Sequence, residues 1–262
     1  MNREFVDTYG IIGWPVKHSL SPAMHNAAFK KLGIDAEYRK FEVKPADLED
    51  FLLNRKDVLG FNVTVPHKVR AKEILDRVVD EKIACVDAIN TVKREGSKIK
   101  YANTDVAGFL TSLREDLKFD HKDKNVLLIG CGGAGRAIIA GLSKSAKKIY
   151  AYDSNPDAIK SSGILQCISA KEIPEIIKDC QLLVNATPIG MKKGDSSPID
   201  KELLHKNLFV YDVVYNRETE LVKAAKGPAV GGLGMLLYQG VHAFEFWTGK
   251  RAPIDVMRKA LK

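Results

Sequence analysis

Short apolar runs of four to six residues alternate with helix-length amphipathic segments along the whole chain, the arrangement of strand–helix–strand units built on parallel sheet. The expected class is α/β. In the N-terminal part, residues 9–12, 38–43 and 60–65 predict strands, and residues 22–32, 45–53 and 66–75 predict helices. Each of those helices begins with a proline, which suits a first helical position because the missing N–H has no partner to lose there. Residues 89–94 and 98–103, separated by Glu95-Gly96-Ser97, predict a β-hairpin.

From Asn125 the rhythm becomes more regular. Residues 126–129, 148–152, 165–168, 182–185, 208–213 and 229–230 are six candidate strands with helices in most of the gaps, the pattern of a doubly wound dinucleotide-binding sheet. Residues 234–247 and 253–262 predict two helices after that sheet is complete. The expected first crossing between domains is Asn103-Thr104, between the hairpin and a helix at 105–117.

Composition narrows the functional classes. Hydrophobic residues make up 45% and charged residues 28%, an ordinary globular balance. No apolar run is long enough for a membrane helix, and the opening residues lack the apolar core of a signal peptide, so a cytoplasmic protein without a membrane partner is expected. The net charge of +8 invites a nucleic-acid reading. It is spread, however: 18 basic against 15 acidic residues in 1–103, 18 against 16 in 104–237, and 5 against 2 in 238–262. A nucleic-acid binder concentrates its basic residues, so none is expected as a partner. Cys85, Cys131, Cys167 and Cys180 form no CxxC pair and the histidines show no HExxH spacing, so no metal is expected.

One motif carries cofactor chemistry. After the candidate strand at 126–129 comes Gly130-Cys131-Gly132-Gly133-Ala134-Gly135-Arg136 and then a helix, which is GxGxxG in the context it requires. Gly130 allows the tight turn, Gly132 the approach of backbone to a pyrophosphate, and Gly135 close helix–strand packing. Cys131 needs only to be small. Asp153 ends the next strand, where a carboxylate accepts hydrogen bonds from the ribose hydroxyls of NAD and repels the 2′-phosphate of NADP. Ser154, Asn155 and Lys160 are the opposing candidates for holding a phosphate, and a turn or cap role before Pro156 is the structural alternative for Asp153.

Polar residues gather in several other places. Ser19 and Ser21 are two apart, so an extended backbone turns both hydroxyls to one side, as a carboxylate would need; a capping role for Ser21 is the alternative. His18 and His25 read as helix-start or packing residues. In residues 60–68, Phe61, Val63 and Val65 share one face of the candidate strand and Asn62 and Thr64 the other. Lys68 follows in the first helical turn, where the helix dipole disfavours its protonated form and a nearby carboxylate favours it, opposed influences that suit proton transfer. Asp105 is the candidate partner, with Asn90 at the hairpin's start.

In order, these landmarks resemble the shikimate dehydrogenase family with its quinate/shikimate relatives: residues 13–26 with Ser-Leu-Ser-Pro, 62–68 (Asn-Val-Thr-Val-Pro-His-Lys), 88–92, 103–105, the glycine loop, 185–191, 212–215 and 232–239. The resemblance implies an N-terminal α/β substrate domain (1–103, completed by 238–262) and a Rossmann-type domain (104–237). It implies reversible reduction of 3-dehydroshikimate to shikimate, on the route to chorismate and the aromatic amino acids. Lys68 and Asp105 match the family's catalytic pair. Ser19, Ser21, Thr64, Lys68, Asn90, Asp105, Tyr215 and Gln239 match substrate-binding positions. Gly130, Gly132, Gly133, Ala134, Gly135, Arg136, Asp153, Thr187, Met191, Val213 and Gly234 match cofactor-facing ones. The family's cofactor is NADP, but many members carry Asn-Arg-Thr where this chain has Asp153-Ser154-Asn155, which points to NAD or dual use. A quinate or dual quinate/shikimate dehydrogenase is the near alternative and a non-catalytic dinucleotide-binding sensor the remote one. A monomer or homodimer is expected.

Overall fold

The computed structural model describes residues 6–79, 87–160 and 166–262, with the side chain of Lys160 excepted. Cys85, and Leu165 of one candidate strand, lie outside them. The chain divides into two compact units: residues 1–108 together with 237–262, and residues 109–236. Both passages between units fall inside helices rather than in loops. Among the described residues no helix is long and apolar enough to cross a membrane.

The first unit is built on a five-stranded sheet of order β2-β1-β3-β4-β5. β1 (Asp7–Gly13) lies between β2 (Ala36–Glu42) and β3 (Val58–Val63), parallel to both. The hairpin β4 (Thr91–Glu95) and β5 (Lys98–Ala102) adds two antiparallel strands. Strand alternation separates two faces. On one, Ile12, Phe61, Val63 and Val92 pack under α2 (Leu48–Asn54) and α3 (Lys68–Leu75). On the other, Tyr9 and Tyr38 meet α1 (Ser21–Lys31) through Phe29 and His25, and they also meet Trp247 from the returning C-terminal segment. Gly60 is what lets Trp247 lie on β3: an added Cβ would sit 2.6 Å from the indole, whose Nε1 donates to the Val92 carbonyl at 2.9 Å. α1 ends as its sequence requires, with Gly33 at φ +60° and the Ile34 N–H reaching back to the Phe29 carbonyl at 3.0 Å.

Three expectations need correction here. Pro45 opens a single 3-10 turn, Pro45–Asp47, and the α-helix starts only at Leu48. Pro66 does not open a helix: the His67 N–H closes a turn on the Thr64 carbonyl at 2.9 Å, and α3 begins at Lys68. β3 therefore stops at Val63, and Val65 is exposed in that turn instead of joining Phe61 and Val63 in the core.

The second unit holds a wholly parallel sheet of order β10-β9-β8-β6-β7. Its strands are β6 (Asn125–Ile129), β7 (Lys148–Tyr152), β8 (Leu182–Asn185), β9 (Phe209–Asp212) and β10 (Ala229–Val230). Apolar cores fill both faces, as a sheet with helices on either side requires: Val126, Leu128 and Val184 on one, Leu127, Ile129 and Leu183 on the other. Among the described residues the candidate strand at 165–168 shows one bridge, between Ala151 and Cys167, with Ala151 hydrogen-bonded to Gln166 and Ile168. With that bridge beyond β7, the order is that of a dinucleotide-binding sheet, and it reverses between β6 and β8.

Candidate active site

Lys68 stands at the first residue of α3 and Asp105 at the second of α4 (Thr104–Glu115), 37 positions apart in sequence. The Nζ of Lys68 donates to Asp105 Oδ2 at 2.5 Å, and the two side chains are only 14% and 7% exposed. An ion pair this enclosed holds its geometry because separating it would leave each charge poorly solvated. The other carboxylate oxygen, Asp105 Oδ1, accepts from the side-chain amide of Asn90 at 2.9 Å. The same Nδ2 lies 3.4 Å from Gln239 Oε1, and the Thr104 N–H donates to Asn90 Oδ1 at 2.7 Å, which settles which way the amide faces. Asn103 steadies the corner by accepting the Asp105 N–H at 3.0 Å and donating to the Ala88 carbonyl at 2.8 Å. Close backbone packing completes the arrangement, since a Cβ on Gly108 would lie 2.6 Å from the Gln239 nitrogen.

The serine pair differs from its expectation. Leu20 is helical (φ −88°, ψ −8°), so the backbone from Ser19 to Ser21 is not extended. Ser21 is the first residue of α1 and is buried, while Ser19 is half-buried and accepts the Ser21 N–H at 3.3 Å. That hydrogen bond reverses the capping alternative, making Ser19 the acceptor for the helix's first turn. His25 is a packing residue, stacked on Tyr38 at 4.5 Å, and burial pushes its pKa down to about 3. His67 is likewise structural, with Nε2 at 2.7 Å from the Val43 carbonyl.

In the second unit the glycine loop fits a dinucleotide. Gly130 has φ +100°, and a Cβ there would press on Ala186 and Thr187. A Cβ on Gly135 would come within 2.1 Å of the Gly130 carbonyl oxygen, so the start of α5 (Gly133–Leu142) sits directly against the turn. Gly132 is exposed and a Cβ there would meet nothing within 4 Å, leaving open space over the N–H groups of the helix start, room of the kind an anion takes at a helix N-terminus. Cys131 is buried, and burial together with the Asp153 charge raises its thiol to about 12, which keeps it protonated and inert.

Asp153 is more engaged than its sequence position suggests. One carboxylate oxygen accepts the Cys131 N–H at 2.7 Å and the other accepts the Asn155 N–H at 2.8 Å. The residue ties the glycine loop to the turn after β7, so the turn role weighed for it is real, and lone pairs remain on both oxygens. Asn155 in turn accepts the Asp157 N–H at the start of α6 (Pro156–Lys160), while Ser154 is exposed.

Residues 185–219 contain a network that sequence reasoning did not single out by function. Asn185, at the end of β8, donates to Asp212 Oδ1 at 3.0 Å and accepts both the N–H and the hydroxyl of Thr187. Asp212 also accepts from Val214 N–H and from the Thr219 hydroxyl, and burial raises its pKa. This fully buried cluster fixes the loops that carry Thr187, Met191, Val213 and Tyr215. Met191 is exposed, Tyr215 is half-buried with its phenol pKa raised by burial, and Gly234 packs against Ser112 and Asp116. Asn185 and Asp212 lay within quoted motifs, but Thr219 carried no signal.

The parallel sheet with its glycine loop at the reversal point, and the separate α/β unit with its enclosed lysine–carboxylate pair, define a dinucleotide-dependent oxidoreductase. Residues 11–92 match the family model for the shikimate dehydrogenase substrate binding domain, and residues 232–262 match the shikimate 5'-dehydrogenase C-terminal domain. The chain is 39% identical to the shikimate dehydrogenase (NADP(+)) of Methanopyrus kandleri over 96% of this chain and 93% of that one. Its structure is similar to shikimate dehydrogenase from Aquifex aeolicus (TM-score 0.89, 36% identity, all of both chains). It is also similar to shikimate 5-dehydrogenase from Thermus thermophilus in complex with NADP(H) and shikimate (TM-score 0.86, 30% identity, 97% and 98% of the two chains). This chain belongs to the shikimate dehydrogenase family.

Proposed function

We propose that the protein catalyses the reversible reduction of 3-dehydroshikimate to shikimate, with Lys68 and Asp105 as its catalytic residues. The observation that carries the reading is the enclosed Lys68–Asp105 contact at 2.5 Å with Asn90 on the free carboxylate oxygen. The ring acid is held by its carboxylate at Ser19 and Ser21, and by its hydroxyls at Thr64, Asn90, Asp105 and Gln239. The cofactor is held by the glycine loop from Gly130 to Arg136, by Asp153, and by Thr187, Met191, Val213 and Gly234. When bound, the nicotinamide supplies a hydride to the ketone carbon. Lys68 donates a proton to the ketone oxygen as negative charge develops there, and Asp105 keeps the ammonium aimed at that oxygen. In the reverse direction the same nitrogen takes the hydroxyl proton.

The relatives' names support NADP(H) as the cofactor. Asp153 supports acceptance of NAD(H) as well, because its carboxylate borders the loop and no arginine stands at Ser154 or Asn155. The deciding experiment follows reduced-cofactor absorbance with shikimate and then quinate, each with NADP and NAD. Turnover of shikimate is expected with both cofactors; absence of turnover with either ring acid would remove the proposal, and faster turnover of quinate would assign the chain to the quinate branch.

A further inference from the structure

Behind the lysine–carboxylate pair the first unit contains a chain of buried polar side chains whose hydrogen bonds all point one way. The Tyr38 hydroxyl, on β2, donates to Asn62 Oδ1 at 2.7 Å. Asn62 Nδ2 donates to the Asn90 carbonyl at 3.1 Å and to Thr91 Oγ1 at 3.0 Å. Thr91 Oγ1 lies 3.0 Å from Asn90 Oδ1, and Asn90 Nδ2 donates to Asp105. Tyr38, Asn62, Asn90, Thr91 and Asp105 are all buried.

The directions follow from chemistry. A backbone carbonyl only accepts, so the Asn62 amide nitrogen must face Asn90, which leaves the Asn62 oxygen to face Tyr38. The phenol's single proton is then committed to Asn62. The neutral His25 ring stacked on Tyr38 at 4.5 Å, 15° from parallel, holds the phenol in place without competing for its proton. Donors aligned head to tail in a buried site polarise one another, and here the series terminates on the Asp105 carboxylate.

We propose that Tyr38 and Asn62 are positioning residues for the Lys68–Asp105 pair, acting through Asn90 on the carboxylate that steers the proton. The inference rests on the catalytic reading of that pair. Asn62 holds the Asn90 carbonyl and the Thr91 hydroxyl, and Asn90 holds Asp105.

Tyr38→Phe tests this by removing only the hydroxyl while keeping the ring that stacks on His25. The kcat for shikimate oxidation should fall about tenfold with KM changed less than about threefold. The pH midpoint of kcat should rise by about half a unit, since a carboxylate that receives weaker hydrogen bonds holds its proton more tightly. Combining Tyr38→Phe with Asn62→Ala should cost little beyond Asn62→Ala alone, as expected of neighbours in one chain. An unmoved pH midpoint in Tyr38→Phe overturns the inference, whether or not kcat or the melting temperature falls. Lys68→Ala, assayed alongside, separates the two failures: an active Lys68→Ala enzyme removes the catalytic reading, whereas an inactive one beside an unchanged Tyr38→Phe removes only the positioning role.

Discussion

The Asp153 carboxylate holds the Cys131 N–H at 2.7 Å, so the residue that borders the adenosine end of the candidate cofactor site also fastens the glycine loop. Replacing Asp153 would disturb both. Ser154 beside it is exposed. Ser154→Arg should therefore raise the ratio of kcat/KM for NADPH over NADH by about tenfold or more, through a guanidinium that pairs with the 2′-phosphate. Steady-state kinetics with both cofactors measures it, and an unchanged ratio would show that this turn does not read the phosphate.

Lys68 gives a second prediction. Its ammonium does most for the reaction when charge appears on the ketone oxygen, so Lys68→Ala should lower kcat by roughly a thousandfold and raise KM only severalfold. A near-normal kcat would contradict the assignment. Circular dichroism on the same sample checks that the loss is chemical, since removing the lysine leaves Asp105 buried beside Asn90 alone.

Two glycines of the loop should respond in opposite ways. Gly132→Ala places its methyl in open space on a residue at φ −68°, so the melting temperature should change little while KM for the cofactor rises about tenfold. Gly135→Ala drives a methyl to within 2.1 Å of the Gly130 carbonyl, so it should cost about 2–4 kcal/mol of stability in denaturant unfolding. Equal melting temperatures for the two variants would refute the packing described for the start of α5.

His25 controls a pH dependence of stability. Its pKa in the folded chain is about 3, well below the 6.5 of an exposed histidine, so between those values the unfolded chain binds a proton that the folded chain refuses. Its contribution is fully favourable above pH 6.5 and is lost as pH falls, by up to ~1.4 kcal/mol per unit. Urea unfolding at pH 6.5 and 5.0 should show a smaller loss on acidification for His25→Phe than for the parent protein. Identical slopes would mean that the ring takes up its proton while buried.

The elements that were legible in the sequence are those whose signal is local. The buried run of β1, the start and glycine end of α1, the hairpin and the strand–loop–helix around Gly130 follow from periodicity and turn residues within a few positions. Pro66 misled because proline suits a tight turn as well as a helix start, and only the Thr64–His67 hydrogen bond distinguishes them. Ser19 and Ser21 were paired on the premise of extended backbone, which Leu20 does not adopt. Lys68 and Asp105 could be named together through the family's motifs, but Tyr38 and Asn62 could not be linked to them. Tyr38 reads as an inward strand residue, and its hydroxyl's partner lies 24 positions away on a strand that is not its neighbour in the sheet.

The division of the first unit between two stretches of chain has a consequence for synthesis. Residues 109–236 are contiguous, so everything their sheet needs has been made before Leu237 leaves the ribosome. The other unit begins first and finishes last: α1 can cover part of the sheet face bearing Tyr9 and Tyr38, but the patch around Gly60 that Trp247 fills stays open until Trp247 has been translated. The part of the protein made earliest must therefore wait, with part of one apolar sheet face exposed, for its own closing residues.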